Sequence, residues 1–281
     1  MGRMLLEILK IGAAVAVGLP LVLYLFQDRM LFYPPGAPAA LPRPARATLE
    51  ELTQLTADGE RIVAWLVRGA ERAPLPIYFG GNAEDVSWLI GMDESFAGYA
   101  LLLVNYRGYG PSQGRPSEAA LFADALAWYD AAVRRADIDP GRIAVMGRSL
   151  GSGVAVHLAA RRPVAGVILV SPYDSVKSLA QAIYPFLPVG LLLKHPFDSL
   201  SLAGAMRAPL LCLAAENDRV IPRAHSRRLF DAWGAAEKSW IVLRGDHDSI
   251  SGEVQYWRAI AEFLAGLQSG QSGGRGTAAA N

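Results

Sequence analysis

Six short, almost uninterrupted apolar runs recur along the chain, with helical patterns between them. "LPIYF" (Leu75–Phe79), "YALLLVNY" (Tyr99–Tyr106), "RIAVM" (Arg142–Met146), "AGVILVS" (Ala165–Ser171), "APLLCLAA" (Ala208–Ala215) and "KSWIVLRG" (Lys238–Gly245) each have the length of a strand. A half-buried strand alternates apolar with polar residues, and these do not. They fit strands buried on both faces, the condition of a mostly parallel sheet covered by helices on either side. Upstream, "LEELTQLTADGERIVAWLVRG" from Leu49 alternates around Asp58-Gly59, a hairpin signal. "AEDVSWLIGMDESFA" (83–97) reads as a helix. Ser117 caps a second, in which Leu121, Ala125, Trp128, Tyr129 and Ala132 recur at helical spacing, and Gly151–Arg161 is a third. The expected class is α/β, and in such sheets ligands bind at the carboxyl ends of the strands.

One strand end stands out. "RIAVM" runs into Gly-Arg-Ser-Leu-Gly and then into an apolar helix. A strand that turns sharply into a helix crowds the residues two before and two after the apex. Gly147 and Gly151 carry no side chain to clash there, and Ser149 at the apex is thrust out of the sheet beside a helix N-terminus. The spacing fits neither a phosphate-binding nor a dinucleotide-binding loop. Ser149 is therefore the candidate nucleophile.

A serine hydroxyl needs a base. The chain has four histidines. His157 lies about 12 Å along the same helix from Ser149, out of reach. His195 precedes a proline in a variable apolar segment. His225 falls inside a helix after Pro222 and reads as a surface residue. His247 alone follows a strand, the last one, where Gly245 lets the loop turn. For the acid that orients it, Asp218 in "AAENDRVIP" ends the preceding strand; Glu216 and Asp174 are alternatives, and "END" also reads as a plain turn. Asp246 and Asp248 flank His247 too closely to reach back. The chain order Ser149, Asp218, His247 is that of α/β-hydrolases. Oxyanion donors are expected from the backbone N–H groups of Leu150 and Asn82, the latter in the "GGNAED" loop after Phe79.

Both ends look unlike the middle. Ile11–Phe26 holds no charge, Met4 to Leu9 extend the apolar surface, and no small-x-small cleavage site follows directly. Residues 1–33 are read as an uncleaved N-terminal membrane anchor, with a cleaved signal or a buried helix as the rivals. Basic residues on both sides of the run leave its orientation open. Residues 34–48, "PPGAPAALPRP" at their heart, read as a proline-rich spacer, 49–267 as the catalytic domain and 268–281 as a disordered tail. The near-neutral charge and the absence of basic tracts argue against nucleic acid as a partner. The single cysteine, Cys212, allows no internal disulfide, and no metal-binding motif or cofactor loop is seen.

Together "LFYPP", "NYRGYGPSQGRPSE", "GRSLGSG", "SPYDS", "ENDRVIP" and "GDHD" resemble the α/β-hydrolase superfamily over about Leu31–Leu267, and within it the membrane-anchored serine hydrolases related to animal protein depalmitoylases and to serine-aminopeptidase-like enzymes. The resemblance implies an α/β-hydrolase fold, no cofactor, and Ser149, Asp218 and His247 as nucleophile, acid and base. It also implies an acyl-bearing small molecule, lipid or acylated protein as substrate. One departure stands: Gly80-Gly81-Asn82 replaces the group's usual His-Gly-Asn in the oxyanion loop. In "YRGYG", Arg107 and the glycines read as scaffolding. The stretch "VKSLAQAIYPFLPVGLLLKHPFDS" (176–199) sits where such folds insert a cap, and it is strongly apolar. Tyr173, Phe186 and Leu192 are the candidate substrate-binding residues. Ester, thioester and amide cleavage share this machinery, and a catalytically silent, membrane-tethered binding module would share the fold.

Overall fold

The computed structural model describes residues 2–270. An eight-stranded sheet carries the domain: β1 (Thr48–Leu55), β2 (Arg61–Arg68), β3 (Ala73–Phe79), β4 (Leu101–Val104), β5 (Ile138–Arg148), β6 (Gly166–Val170), β7 (Leu210–Ala215) and β8 (Lys238–Leu243). Their spatial order is β1-β2-β4-β3-β5-β6-β7-β8. The first hairpin is antiparallel, with Gly59 at φ 88° in its turn, and β2 pairs antiparallel with β4. Every later pairing is parallel. The apolar runs form the parallel strands; β3, β4, β6 and β7 are buried throughout, β5 is buried from Ile143 to Gly147, and the edge strand β8 is half-exposed.

Helices cover both faces. The helices are α1 (Gly2–Leu31), which precedes the sheet, α2 (Glu118–Val133), α3 (Leu150–Ala159), α4 (Val176–Ile183), α5 (Val189–Leu192), α6 (Leu200–Ala203), α7 (Arg223–Ala232) and α8 (Val254–Gly270); α2, α3, α6 and α7 pack on one face and α8 on the other. Successive strand residues point to opposite faces and so feed two cores. Ile143 and Val145 of β5 join Trp128, Val154 and Phe230 on one side; Ala144 and Met146 join Leu89, Tyr256 and Ile260 on the other.

Three expectations need correction. The segment read as a helix at 83–97 is a 3₁₀ stretch, Val86–Phe96, broken at Met92 and capped by Asp85. The proline-rich spacer lies on the domain. Gly110 N–H donates to Pro35 O, Leu41 and Ala47 pack against the core, and the Asp93 carboxylate accepts N–H groups from Ala45, Arg46 and Ala47. Burial works against charge on Asp93, but these three donors outweigh it and hold its pKa below the usual carboxylate range. At the other end α8 continues to Gly270, three residues into the stretch read as tail; 271–281 lie outside the described residues.

Candidate active site

The strand β5 ends at Arg148 and α3 begins at Leu150, so the whole reversal falls on Ser149. Its backbone is strained, with φ 50° and ψ −117°. The glycines around it are dictated by contact. A Cβ on Gly147 would meet Gly151 O at 2.3 Å, and one on Gly151 would meet Phe79 O at 2.0 Å. The elbow closes only because neither exists.

His247 comes from the loop after β8. Its Nε2 lies 2.9 Å from Ser149 Oγ, and its Nδ1 lies 2.8 Å from Asp218 Oδ2. Asp218 Oδ1 accepts the N–H groups of Val220 (3.0 Å) and Ile221 (2.7 Å). The turn thus uses one carboxylate oxygen of Asp218 and the contact to His247 the other. Burial raises the cost of ionising Asp218, but the bonds from His247 and Ile221 prevail and its pKa falls below the usual value. Ser149 and His247 are buried, as is the Asp218 side chain.

The alternatives lie elsewhere. Glu216 is exposed. Asp174 is buried with its carboxylate 2.8 Å from His225 Nδ1 and 2.8 Å from Arg228 Nε. His225 is therefore not a surface residue: α7 packs it under the start of α4, where Asp174 and Ser178 surround it. His157 stacks on Phe122 of α2, ring centroids 3.6 Å apart. His195 accepts the Glu118 N–H at Nδ1 and faces Asp28 through Nε2.

The loop after β3 crosses beside the serine: a Cβ on Gly81 would lie 3.5 Å from Ser149 Cβ. A Cβ at Gly80 would meet Val86 Cγ1 at 2.5 Å, so any side chain at this position would require Val86 to shift. Other groups hold the loop. Tyr106 Oη donates to Gly80 O, Glu84 Oε2 accepts the Gly81 N–H, and Tyr109 Oη donates to Asn82 Oδ1. The Asn82 side chain also accepts the Tyr33 N–H (2.9 Å) and donates to Leu31 O (2.6 Å). Sequence reasoning missed this second use of Asn82, and it missed Glu84 and Arg148. The Arg148 guanidinium joins Glu84 (3.0 Å), Asp248 (2.9 Å) and His247 O (2.9 Å). One guanidinium thereby ties the elbow, the loop after β3 and the histidine loop. Burial disfavours the charge on Arg148, yet the carboxylate of Glu84 more than restores it and raises its pKa.

A cavity of about 400 Å³ opens at Ser149 and is overwhelmingly apolar. Tyr173, at its base, donates to Leu150 O (3.0 Å). Leu192 lines it with other residues of α4 and α5. Phe186 does not. It sits 95% exposed at the tip of the turn between α4 and α5, where Pro185 and Pro188 bend the chain and Gln181 Nε2 caps the carbonyls of Tyr184, Pro185 and Leu187. Among the described residues no group of three or more His, Cys, Asp or Glu side chains could hold a metal ion.

Residues 77–190 match the family of the α/β hydrolase fold. The chain is 34% identical over 267 residues to the uncharacterized protein Rv2307c of Mycobacterium tuberculosis, covering 92% of this chain and 94% of that protein. It is 28% identical over 260 residues to the uncharacterized membrane protein YNL320W of Saccharomyces cerevisiae, covering 86% and 90%. Among solved structures, the acetyl xylan esterase from Paenibacillus sp. R4 superposes with a TM-score of 0.65 at 20% identity, over 86% of this chain and 93% of that one, a likeness of fold. With an elbow serine on a mostly parallel eight-stranded sheet and a relative that matches almost end to end, the chain belongs to the α/β-hydrolase superfamily.

Proposed function

We propose that the protein is a membrane-anchored serine hydrolase that cleaves carboxylic ester or thioester bonds of apolar acyl groups. The observation that carries this reading is the unbroken chain Ser149–His247–Asp218, with separations of 2.9 and 2.8 Å, opening onto an apolar cavity. Ser149 Oγ attacks the acyl carbon while His247 Nε2 takes its proton. Asp218 holds the tautomer in which Nδ1 carries hydrogen and stabilises the imidazolium that forms. The oxyanion is received by the N–H groups of Leu150 and Asn82. Leu150 opens α3, and the first N–H groups of a helix have no intrahelical acceptor. Collapse breaks the bond to the alkoxide or thiolate, which leaves with the proton from His247. Water then gives a proton to His247 and its oxygen to the acyl carbon, and the carboxylic acid departs as Ser149 recovers its hydrogen.

The cavity favours acyl esters and thioesters over peptide amides, since an apolar wall rewards methylenes and leaves a second peptide group unpaired. Each buried methylene contributes ~0.8 kcal/mol, roughly a fourfold gain in kcat/KM. Residues 1–33 are assigned as the anchor. α1 is one helix long and apolar enough to cross a membrane, and a relative is named a membrane protein. The test is a panel of p-nitrophenyl esters, acyl thioesters and peptide amides on the full chain, with Ser149→Ala beside it. Rising kcat/KM with acyl length, lost in Ser149→Ala, is expected. Faster cleavage of amides would move the function to a peptidase, and unchanged turnover in Ser149→Ala would remove the serine mechanism.

A further inference from the structure

The wall of the cavity is not built by the hydrolase domain alone. Leu23, Tyr24, Gln27, Met30 and Leu31 of the anchor helix line it. They are fastened in place. The Gln27 side chain donates to Leu192 O (3.0 Å) and accepts the Lys194 N–H (2.7 Å), so it is spliced into the backbone of the cap. Asp28 meets His195 Nε2 at 3.1 Å and Lys194 Nζ at 3.8 Å. Asn82, beside the nucleophile, holds Leu31 O. Phe32 is buried, edge-on to His195 and Phe197. The last two turns of α1 are therefore part of the active-site architecture.

The same helix runs for 30 residues, about 45 Å, against a hydrocarbon thickness of about 30 Å. Its apolar stretch has a mean hydropathy of 2.1, and none of its described residues is buried in protein. The charge-free run ends at Phe26, and Gln27-Asp28-Arg29 follow. Leu23 and Tyr24 thus stand within the apolar run, and Met30 and Leu31 one turn past it. A helix that spans the bilayer carries the cavity wall to the level where hydrocarbon meets headgroups. The cap adds to the same level: Ile183, Phe186 and Leu191 are 68%, 95% and 87% exposed around the turn that borders the anchor. Such a patch is unfavourable in water and favourable against acyl chains. Phe186, rejected as a cavity residue, finds its use here.

We infer that the cavity takes the acyl chain of a bilayer lipid ester directly from the membrane, between the anchor helix and the α4–α5 cap, and that α1 is a specificity-determining wall as well as a tether. This rests on the serine hydrolase reading above. The long chain lies along Leu23, Met30 and Leu192, the ester carbonyl reaches Ser149, and the polar leaving group stays at the interface.

The experiment uses the full chain in phosphatidylcholine vesicles and a fluorophosphonate whose long alkyl chain ends in a diazirine. Ser149 Oγ displaces fluoride at phosphorus, and irradiation then inserts the chain end into whatever lines the cavity. Cross-links from phosphonylated Ser149 to the Leu23–Leu31 segment are expected. Cross-links confined to the cap and to Val220–Ile221 would overturn the inference and leave the hydrolase reading intact; no phosphonylation of Ser149 would overturn that reading itself. As a second measure, Leu23→Trp and Met30→Trp should shift the ester chain-length profile toward short chains, with at least a tenfold loss of kcat/KM on dodecanoate relative to acetate. Leu25→Trp, outside the cavity lining, should keep the wild-type profile. Unchanged profiles in both cavity variants contradict the wall. For an ester dissolved in the vesicles, the rate should follow its mole fraction in the bilayer, and dependence on bulk concentration instead contradicts lateral entry.

Discussion

At Ser149 the backbone sits at φ 50°, a conformation that costs a serine about 1–3 kcal/mol and persists only where its surroundings enforce it. Gly147, Gly151 and the Arg148 ion pair enforce it. Two predictions belong to this scale. Asp218→Asn keeps a carbonyl oxygen for the turn but offers an amide to His247 Nδ1, fixing the wrong tautomer; kcat on a small ester should fall by about 10⁴. Asp174→Asn, away from the serine, should keep kcat within about tenfold while lowering the melting temperature. The reverse pattern would make Asp174 the acid. Arg148→Met leaves the buried Glu84 carboxylate its hydrogen bonds from Tyr78, Trp88 and Gly81 but no cation, and urea unfolding should show a loss of about 3 kcal/mol, partly recovered in the Glu84→Gln/Arg148→Met double variant. A loss in the double variant equal to the sum of the losses in Arg148→Met and Glu84→Gln would mean that the pair is not coupled.

Among the elements, α2 and α3 carry a pH-dependent contact. His157 on α3 stacks against Phe122 on α2, and burial, aided by Arg161, lowers its pKa from 6.5 to about 4. The unfolded chain therefore binds this proton at a higher pH than the folded one. The stabilisation is complete above about pH 6.5 and is lost as pH falls toward 4. Allowing for partial solvent contact, it amounts to about 1–2 kcal/mol. Unfolding midpoints should drop between pH 7 and 4.5 in the wild type and drop less in His157→Gln; parallel drops would exclude His157 as the cause. The elements also mark where sequence reading succeeds. The parallel strands were legible because each is a bounded apolar run, and the elbow because its glycines are local necessities. Val86–Phe96 was not, since an apolar run with Gly91 inside it reads alike as α or 3₁₀. The support of Asn82 was equally out of sight: its partners Leu31, Tyr33 and Tyr109 lie 51, 49 and 27 residues away. Phe186 failed as a cavity residue because apolar character does not tell a wall from an exposed tip.

For the molecule as a whole, the last turns of α1, the linker and the domain are packed together. A chain beginning at Leu49 loses Phe32 and leaves Asp93 without its three N–H donors, so it should be less stable by on the order of 3 kcal/mol. Equal stability of the two chains would show the linker to be dispensable. The full chain should stay with membranes through carbonate extraction, and a mature chain starting near Ala40 would mean that the helix is a cleaved signal. All of this presumes chemistry at one serine. The most direct check is intact-mass and peptide mapping of the folded full chain after reaction with a fluorophosphonate. The account predicts a single adduct on Ser149, absent in Ser149→Ala and formed at least a hundredfold more slowly in His247→Ala; no adduct, or one on another residue, would contradict it.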